Sequence, residues 1–285
     1  MFLLLSDFYL SDLPFGGGAE YNDQILYDLM SSKGIKINRK RSREATQDYL
    51  VNLKKDTKII VSNFIELSEA SKNYIINNFD YIIYEHDHKY LRRRIPSLFY
   101  GLKAPPSEIV NYDFYKSAKA VLVQSGFHKK IIELNIDIAN VVNLSGNLWT
   151  DNDFKQFENN LDVHKQDSCS ILHSPLINKG TKQAVQYCKK NDISYELTAD
   201  KNYYTFLKKI AKNKKLIFLP TIPETLSRIC VEAKMMGCSV VTNGMVGAKY
   251  EEWYSLNGQE LIDTMFDKRS AILKKIEGAF QDEKK

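Results

Sequence analysis

Residues 215–244 read KLIFLPTIPETLSRICVEAKMMGCSVVTNG. A short apolar run closes on Pro220-Thr221, and a polar turn follows. Then Leu226, Ile229, Cys230 and Ala233 recur at i, i+3, i+4 and i+7. That spacing lays one apolar stripe along a helix over Leu226–Met236. Beyond Gly237 a second apolar run begins at Ser239. Strand, helix and strand in this order predict a parallel pair with a crossover helix, the repeating piece of an α/β sheet.

The same alternation runs outward in both directions. FLLLS, KIIVSN (58–63), YIIYEHD (81–87) and AVLVQS (120–125) are short apolar runs ending in polar residues. Buried parallel strands look like this, with their polar ends at one edge of the sheet. Amphipathic segments at 19–32, 68–78, 108–117 and 127–134 separate them. In the second half CSILHS, SYELT, KLIFLPT and SVVTNG read as strands, and 179–190, 203–211, 226–236 and 259–280 as helices. The expectation is two Rossmann-like α/β domains facing an interdomain cleft: 1–150, then a polar linker with a short helix at 151–167, then 168–265, with a C-terminal helix at 266–285 packing back on the first domain. Ligands of such sheets bind outside the carboxyl ends of the strands.

Composition narrows the class. The chain has 285 residues, 44% hydrophobic and 26% charged, enough for a sizeable core. No apolar run reaches the length of a membrane span. The start, MFLLLSDFYL, has no basic leader and reads as a first strand rather than a signal peptide. Cys169, Cys188, Cys230 and Cys238 stand singly and form no C-x-x-C pair, as buried thiols in a reducing cytoplasm do. The net charge of +5 suits an anionic small molecule, a membrane surface or a nucleic acid without choosing among them.

Four segments carry candidate chemistry. Gly16, Gly17 and Gly18 lie between the first strand and first helix, where backbone can approach a ligand and a helix N-terminus favours anions. His86 and Asp87 end a strongly apolar strand, where a histidine can donate to a sugar hydroxyl or a phosphate. Strand alternation sends neighbours to opposite faces, so Glu85–His88 is not read as a metal site. Arg92, Arg93 and Arg94 follow among Tyr90, Leu91, Ile95, Phe99 and Tyr100. Two readings stay open there: a grip on a phosphate-bearing acceptor, lipid surface or nucleic acid, or a solvated helix with snorkelling arginines. In the second half a strand ends near His173 and Ser174, and Lys179-Gly180 opens a helix whose N-terminus suits a diphosphate.

Glu224 and Glu232 also have two readings. Glu224 can complement the helix N-terminus while Glu232 pairs with Arg228 at i, i+4. Alternatively, the two carboxylates can each grip vicinal hydroxyls. The D-x-D of Asp151–Asp153 lies in the polar linker and reads as chance.

In order, these pieces resemble the retaining GT-B glycosyltransferases of the "group 1" family, with its Glu-x7-Glu motif. Phe218–Asn243 carries the clearest likeness: a strand ending in Pro-Thr, Glu224, seven residues, Glu232-Ala233, Gly237, and Val240-Val241, with Ser239 where proline is usual. GGGAE at 16–20, His86-Asp87 and Asn178–Gly180 extend it over most of the chain. The resemblance implies that Glu232 binds ribose hydroxyls, and that Glu224 and the Thr225, Leu226 and Ser227 backbone contact donor sugar or phosphate. It further implies that Lys179 neutralises the diphosphate, His86 contacts the sugar, and Gly16–Gly18 pass close to the substrate. The family's phosphate-binding arginine falls on Ser174, leaving Arg228 or Arg92–Arg94 as substitutes. The glycines usual after the first glutamate are Thr225 and Leu226 here. The implied reaction is retaining transfer from a nucleotide-diphosphate sugar to a surface glycan, a lipid-linked sugar or a hydroxylated base of viral DNA. It needs no metal and no cofactor. The other classes weighed are a nucleotide-sugar isomerase or epimerase on the same scaffold, and a non-catalytic nucleotide-sugar-binding module.

Overall fold

The computed structural model describes residues 1–13 and 16–281, so Pro14, Phe15 and the last four residues of the expected C-terminal helix segment lie outside the described residues. The chain forms two compact units: Met1–Gln124 with His128–Leu148 and the chain from Ser270 on, and Ser125–Phe127 with Trp149–Arg269.

The first unit holds a six-stranded, all-parallel sheet: β1 (Phe2–Ser6), β2 (Ile37–Arg41), β3 (Lys58–Val61), β4 (Tyr81–Tyr84), β5 (Ala120–Val123) and β6 (Val141–Asn143), in the order β2-β1-β3-β4-β5-β6. The period of two explains why its inner strands β1, β3, β4 and β5 are almost wholly apolar. Leu3, Leu5, Ile59, Val61, Tyr81, Ile83, Val121 and Val123 feed one core. Leu4, Ile60, Ile82, Tyr84 and Leu122, their alternates, feed the other. Helices α1 (Gly18–Ser32), α2 (Gln47–Val51), α3 (Glu69–Asn78), α4 (Tyr112–Lys116) and α5 (Gly126–Asn135) connect the strands.

The second unit holds a four-stranded parallel sheet of β7 (Gln166–Leu172), β8 (Tyr195–Thr198), β9 (Asn213–Phe218) and β10 (Ser239–Thr242), ordered β10-β9-β7-β8. Its helices are α6 (Asp151–Leu161), α7 (Thr181–Lys190), α8 (Tyr203–Ala211) and α9 (Arg228–Met235). The helix expected over Leu226–Met236 begins only at Arg228, so Leu226 is buried just before it and Ile229 is partly buried. Cys230 and Ala233 pack with Leu216 and Phe218 of β9, together with Trp149, Phe154 and Phe157. All four cysteines are free and buried, and burial pushes the Cys230 thiol up to about 12.

Several local expectations change. The stretch 151–167 holds the amphipathic helix α6 (Asp151–Leu161), a short connection and the start of β7. Thr150 caps α6 by accepting from Asp153 N at 3.0 Å, while Asp153 accepts from Thr150 N at 2.8 Å. Of the D-x-D, Asp153 therefore caps the helix and Asp151 pairs with Arg269 at 2.7 Å, and Phe154 and Phe157 bury the helix in the second core. β4 stops at Tyr84, short of His86. The helix expected over 108–117 shrinks to the five residues of α4, and Tyr90–Tyr100 forms turns, with 3-10 geometry only from Pro96 on, rather than a solvated helix. Pro96, Pro105 and Pro106 lack the N–H that a helix there would need. The final helix α10 (Gly258–Gly278) is continuous. Leu261, Ile262 and Met265 belong to the second unit's core, and Ile272, Leu273 and Ile276 to the first unit's. Among the described residues no helix is long and apolar enough to cross a membrane.

Candidate functional site

Both sheets reverse their strand order beside the first strand, between β1 and β3 in one and between β7 and β9 in the other. Such a reversal leaves a crevice outside the carboxyl ends of the two strands, because the flanking connections leave in opposite directions. Each unit carries a polar cluster at this place.

In the second unit the cluster is Lys179 with Glu224. Lys179 ends a 3-10 turn (Ile177–Lys179) after β7, and Gly180 turns the chain into α7 with φ +71°. A Cβ on Gly180 would stand 1.8 Å from the Leu219 carbonyl, so only glycine fits against the end of β9. Thr181 Oγ1 donates to Leu172 O at 2.6 Å, and Thr221 N donates to Asn178 O at 3.0 Å. Glu224 is held from its backbone: its N–H donates to Met245 O at 2.7 Å, and its carbonyl accepts from Gly247 N at 2.9 Å. The Lys179 ammonium then donates to Glu224 Oε1 at 2.8 Å, with both side chains part-exposed. Ser174 sits nearby in a turn, its Oγ accepting from Leu176 N at 3.2 Å.

The segment after Glu224 is tightly packed. Leu226 is fully buried and its carbonyl accepts from Ala248 N at 3.0 Å. The Thr225 carbonyl lies so close to Gly247 that a Cβ there would stand 2.2 Å away. Ser227 precedes α9 with φ +79° and ψ +86°, a left-handed conformation that costs a residue with a Cβ.

Glu232 is buried about one turn into α9. Its Oε1 accepts from Trp149 Nε1 at 3.1 Å and Tyr203 OH at 2.7 Å, and pairs with Arg228 Nε at 3.3 Å. None of these three contacts uses Oε2. The Arg228 guanidinium also lies 4.7 Å over the Trp149 ring. Burial pushes the Tyr203 phenol well up and the Glu232 charge adds to it. Burial would lower Arg228, but the charge of Glu232 reverses that and holds it up. Arg228, one of the two candidate replacements for a phosphate-binding arginine, is thus committed to Glu232 and Trp149. The sequence reading had the Arg228–Glu232 pair as one alternative. It had no sign of Trp149 or Tyr203, which arrive from distant segments.

In the first unit the cluster centres on Asp23, which the sequence reading missed. Asp23 is fully buried on α1. It accepts from Ser6 Oγ at 3.0 Å, Ser62 Oγ at 2.7 Å and His86 Nε2 at 3.1 Å. Ser6 and Ser62 end β1 and follow β3, the two strands of the reversal. His86 Nδ1 meets Gln124 Nε2 at 2.5 Å. One tautomer satisfies both: Nε2–H donates to the carboxylate and Nδ1 accepts from the amide. Both ring nitrogens of His86 are therefore engaged. The available signal was the Asn22-Asp23 pair interrupting the apolar face of an otherwise core-facing helix.

A second network stands next to it. Lys89 is fully buried and donates to Glu85 Oε1 at 2.5 Å, to Asp87 Oδ1 at 2.9 Å and to Asn63 Oδ1 at 3.4 Å. Tyr115 OH donates to the other oxygen of Glu85. Burial raises Glu85, while Lys89 opposes it. Burial acts to raise Asp87 too, but Lys89 and Arg94 outweigh it and leave Asp87 lowered. Arg94 donates to Asp87 Oδ2 at 3.0 Å. Arg92 and Arg93 are exposed and make no ion pair among the described residues. No group of three or more His, Cys, Asp or Glu that could hold a metal occurs among the described residues.

In the Gly16–Gly18 loop Gly17 has φ −87° and Gly18 opens α1, and the close neighbours are the ends of side chains. A Cβ on Gly16 would stand 2.2 Å from Leu10, and one on Gly17 2.8 Å from Glu20. Glu20 Oε2 accepts from Gly17 N at 2.9 Å, so α1's N-terminus already carries a carboxylate of its own. Within their units, Lys179 and Glu224 come together, as do Glu232 and Arg228, while His86 joins Asp23 and Gln124.

Two Rossmann-like α/β units on parallel sheets, each with polar residues at its strand-order reversal, define a GT-B-like fold. Solved glycosyltransferases share it. An α-glucosyltransferase in complex with UDP and a 13-mer DNA containing a central A:G mismatch matches with a TM-score of 0.51 at 10% identity, over 96% of this chain and 89% of that one. A glycosyltransferase from Rickettsia africae ESF-5 matches with 0.50 at 13% identity, over 96% and 93%. Anabaena Alr3699/HepE in complex with UDP and glucose gives 0.48 at 12%, over 98% and 91%. No protein-family model and no curated protein sequence matches the chain.

Proposed function

We propose that this protein is a glycosyltransferase that moves a sugar from a nucleotide-diphosphate donor to an acceptor hydroxyl, with retention and without a metal. The observation that carries the reading is the Lys179–Glu224 pair at the reversal of the second sheet, set by a glycine that no other residue can replace. In this reading donor binding exchanges partners. Lys179 leaves Glu224 for the diphosphate, and Glu224 is freed to accept from sugar hydroxyls. A part-exposed ion pair is a good exchangeable contact, because neither charge depends on it for burial. Glu232 keeps Oε2 for the ribose while Trp149, Tyr203 and Arg228 hold Oε1. The Thr225–Ser227 backbone and the α9 N-terminus face the phosphates. In the first unit Gly16–Gly18, and His86 as Asp23 and Gln124 hold it, are the proposed substrate contacts. The acceptor attacks on the face the diphosphate leaves and the leaving phosphate takes its proton, so charge stabilisation and positioning suffice.

The α-glucosyltransferase structure holds UDP, so UDP-sugars head the donor screen. Thermal unfolding against a panel of nucleotide sugars is expected to show one that raises Tm, since a ligand bound only by the native state stabilises it. Slow hydrolysis of that donor by purified protein should fall when Lys179 or Glu224 becomes alanine. Hydrolysis at the wild-type rate in both variants would defeat the site assignment. One observation favours a second reading, a binding module without catalysis: Lys179 faces the diphosphate without Arg228, which is buried elsewhere. Stabilisation by a donor with no turnover, with or without acceptors, would select it.

A further inference from the structure

The segment Arg92–Lys103, RRRIPSLFYGLK, carries four cations and no acidic residue in twelve positions. It is a built protrusion rather than a slack loop. Its stem is closed by the antiparallel bridge of Leu91 and Ile109, by Arg92 N donating to Glu108 O at 2.9 Å and by Val110 N donating to Tyr90 O at 2.9 Å. Asn135 of α5 grips its far side, accepting from Ala104 N at 2.7 Å and donating to Leu102 O at 2.9 Å. Phe99 packs against the first unit's core. Arg94, Gly101 and Leu102 all take left-handed φ, of 56°, 62° and 64°. Two of these are not glycine, so the shape is held against a local cost.

What this frame presents outward is Leu98, 54% exposed, and Tyr100, 102% exposed, beside Arg92, Arg93 and Lys103, which are exposed and make no ion pair among the described residues. A single exposed apolar residue is ordinary; an aromatic and an aliphatic side chain held out on a braced frame among exposed cations are not. We propose that this face seats the first unit on an anionic lipid surface, with Tyr100 and Leu98 entering the headgroup boundary and Arg92, Arg93 and Lys103 meeting lipid phosphates. Tyrosine suits that depth because its ring is apolar and its hydroxyl wet. Each cation near an anionic leaflet adds to the attraction. Nucleic acid would use the arginines, and a single strand could stack on Tyr100. Neither form of nucleic acid offers Leu98 an apolar phase. The proposal deepens the glycosyltransferase reading by placing the acceptor in or on a membrane, and only that consequence rests on the reading.

Co-sedimentation of the full chain with vesicles tests it. Vesicles rich in phosphatidylglycerol are expected to capture the protein and pure phosphatidylcholine vesicles to leave it in solution. Raising salt to roughly 0.5 M should release most of it. Arg92→Ala with Arg93→Ala should weaken partitioning about thirtyfold, and Leu98→Ala with Tyr100→Ala about tenfold. The second pair should leave Tm and donor hydrolysis in vesicle-free buffer unchanged, because both side chains face outward. Capture that is equal on the two vesicle types, absent, or indifferent to both pairs of substitutions would overturn the proposal. So would duplex or single-stranded DNA that competes the protein off the vesicles and loses its own binding in the Leu98/Tyr100 variant, since a nucleic acid would then be the occupant. Donor hydrolysis reads the glycosyltransferase assignment separately, so either can fail alone.

Discussion

The two strand-order reversals are built from similar residue types but in opposite ways. At the first, Asp23, His86, Glu85 and Lys89 are buried, and their charges and ring nitrogens are met from inside the unit. At the second, Lys179 and Glu224 are part-exposed and Lys179 donates to Glu224. A fully met buried network is rigid, because releasing one member strands another in a low-dielectric interior. A part-exposed pair can open at little cost, because water takes up what is released. The first edge therefore reads as a fixed frame and the second as an exchangeable clamp.

The largest effect expected from this contrast is on Lys89. Lys89→Ala leaves Glu85 buried beside Asp87 without its cation, and removal of one partner of such a pair costs about 3–5 kcal/mol. Lys89→Met keeps the stem volume but strands the same carboxylates, so it should be nearly as damaging. Denaturant midpoints measure both. If either variant were as stable as Lys179→Ala, the distinction between frame and clamp would collapse.

Acid should attack the first unit next. His88 and His128 are buried with their rings 5.0 Å apart. Burial lowers His88 from 6.5 to about 4 and lowers His128 as well. Between those values the unfolded chain binds a proton that the native state refuses, so stability is intact above about pH 6.5 and is lost as pH falls toward 4. For His88 alone the loss reaches about 3 kcal/mol. Glu85 works in the opposite sense: burial raises it, so its contribution falls as pH rises above the usual carboxylate range. The diagnostic is therefore the difference between wild type and His88→Phe in stability between pH 7 and 5, where the variant should show the flatter slope. Parallel curves would mean that the native state lets His88 take up its proton as readily as the unfolded chain does.

Much of the fold was legible because buried parallel strands write themselves as continuous apolar runs; β3, β4 and β5 are buried on both faces and were readable at once. The edge strands were not. β2 is Ile-Asn-Arg-Lys-Arg, with one fully buried residue, and β6 has three residues. An edge strand needs little apolar surface, so pattern says little about it. At the site, Lys179, Glu224 and Glu232 were legible because they sit at fixed offsets from a strand end and a helix start. Asp23, Trp149 and Tyr203 were not, since each reaches its partner across 29 to 83 residues of chain, and no local spacing encodes such a contact. For Arg92–Arg94 the sequence left a helix open, and the prolines around them decide against it.

A smaller effect is expected at Ser227. The frame's strain is absorbed by packing, but here a residue with a Cβ holds φ +79° at the mouth of α9, beside the exchangeable pair. Ser227→Gly relieves that cost but adds freedom to the unfolded chain, so the net gain is about 1 kcal/mol or less. A denaturant midpoint that fell instead would mean that the Ser227 side chain stabilises the turn. Its Oγ donates to Cys230 Sγ at 3.4 Å, a weak contact for that purpose.

The smallest expected change in stability sits beside the largest expected change in binding, and it tests the clamp most directly. Lys179→Met removes the ammonium but keeps an unbranched stem over Gly180. Part-exposed ion pairs contribute about 0–1 kcal/mol, so Tm without ligand should barely move. The donor that stabilises the wild type should stabilise this variant far less, because the diphosphate loses the cation that Glu224 surrenders on binding. Glu224→Gln separates the two halves of the exchange. It removes the competing carboxylate charge, so the bare nucleotide diphosphate should bind as tightly as to wild type or more tightly. The glutamine still offers a carbonyl to sugar hydroxyls, but a neutral acceptor is weaker, so the full sugar donor should lose the advantage it holds over the diphosphate. Isothermal titration with both ligands on both variants reads this as a difference of differences. If Glu224→Gln weakened the diphosphate as much as Lys179→Met does, the pair would act as one fixed element, and the second edge would be a frame like the first.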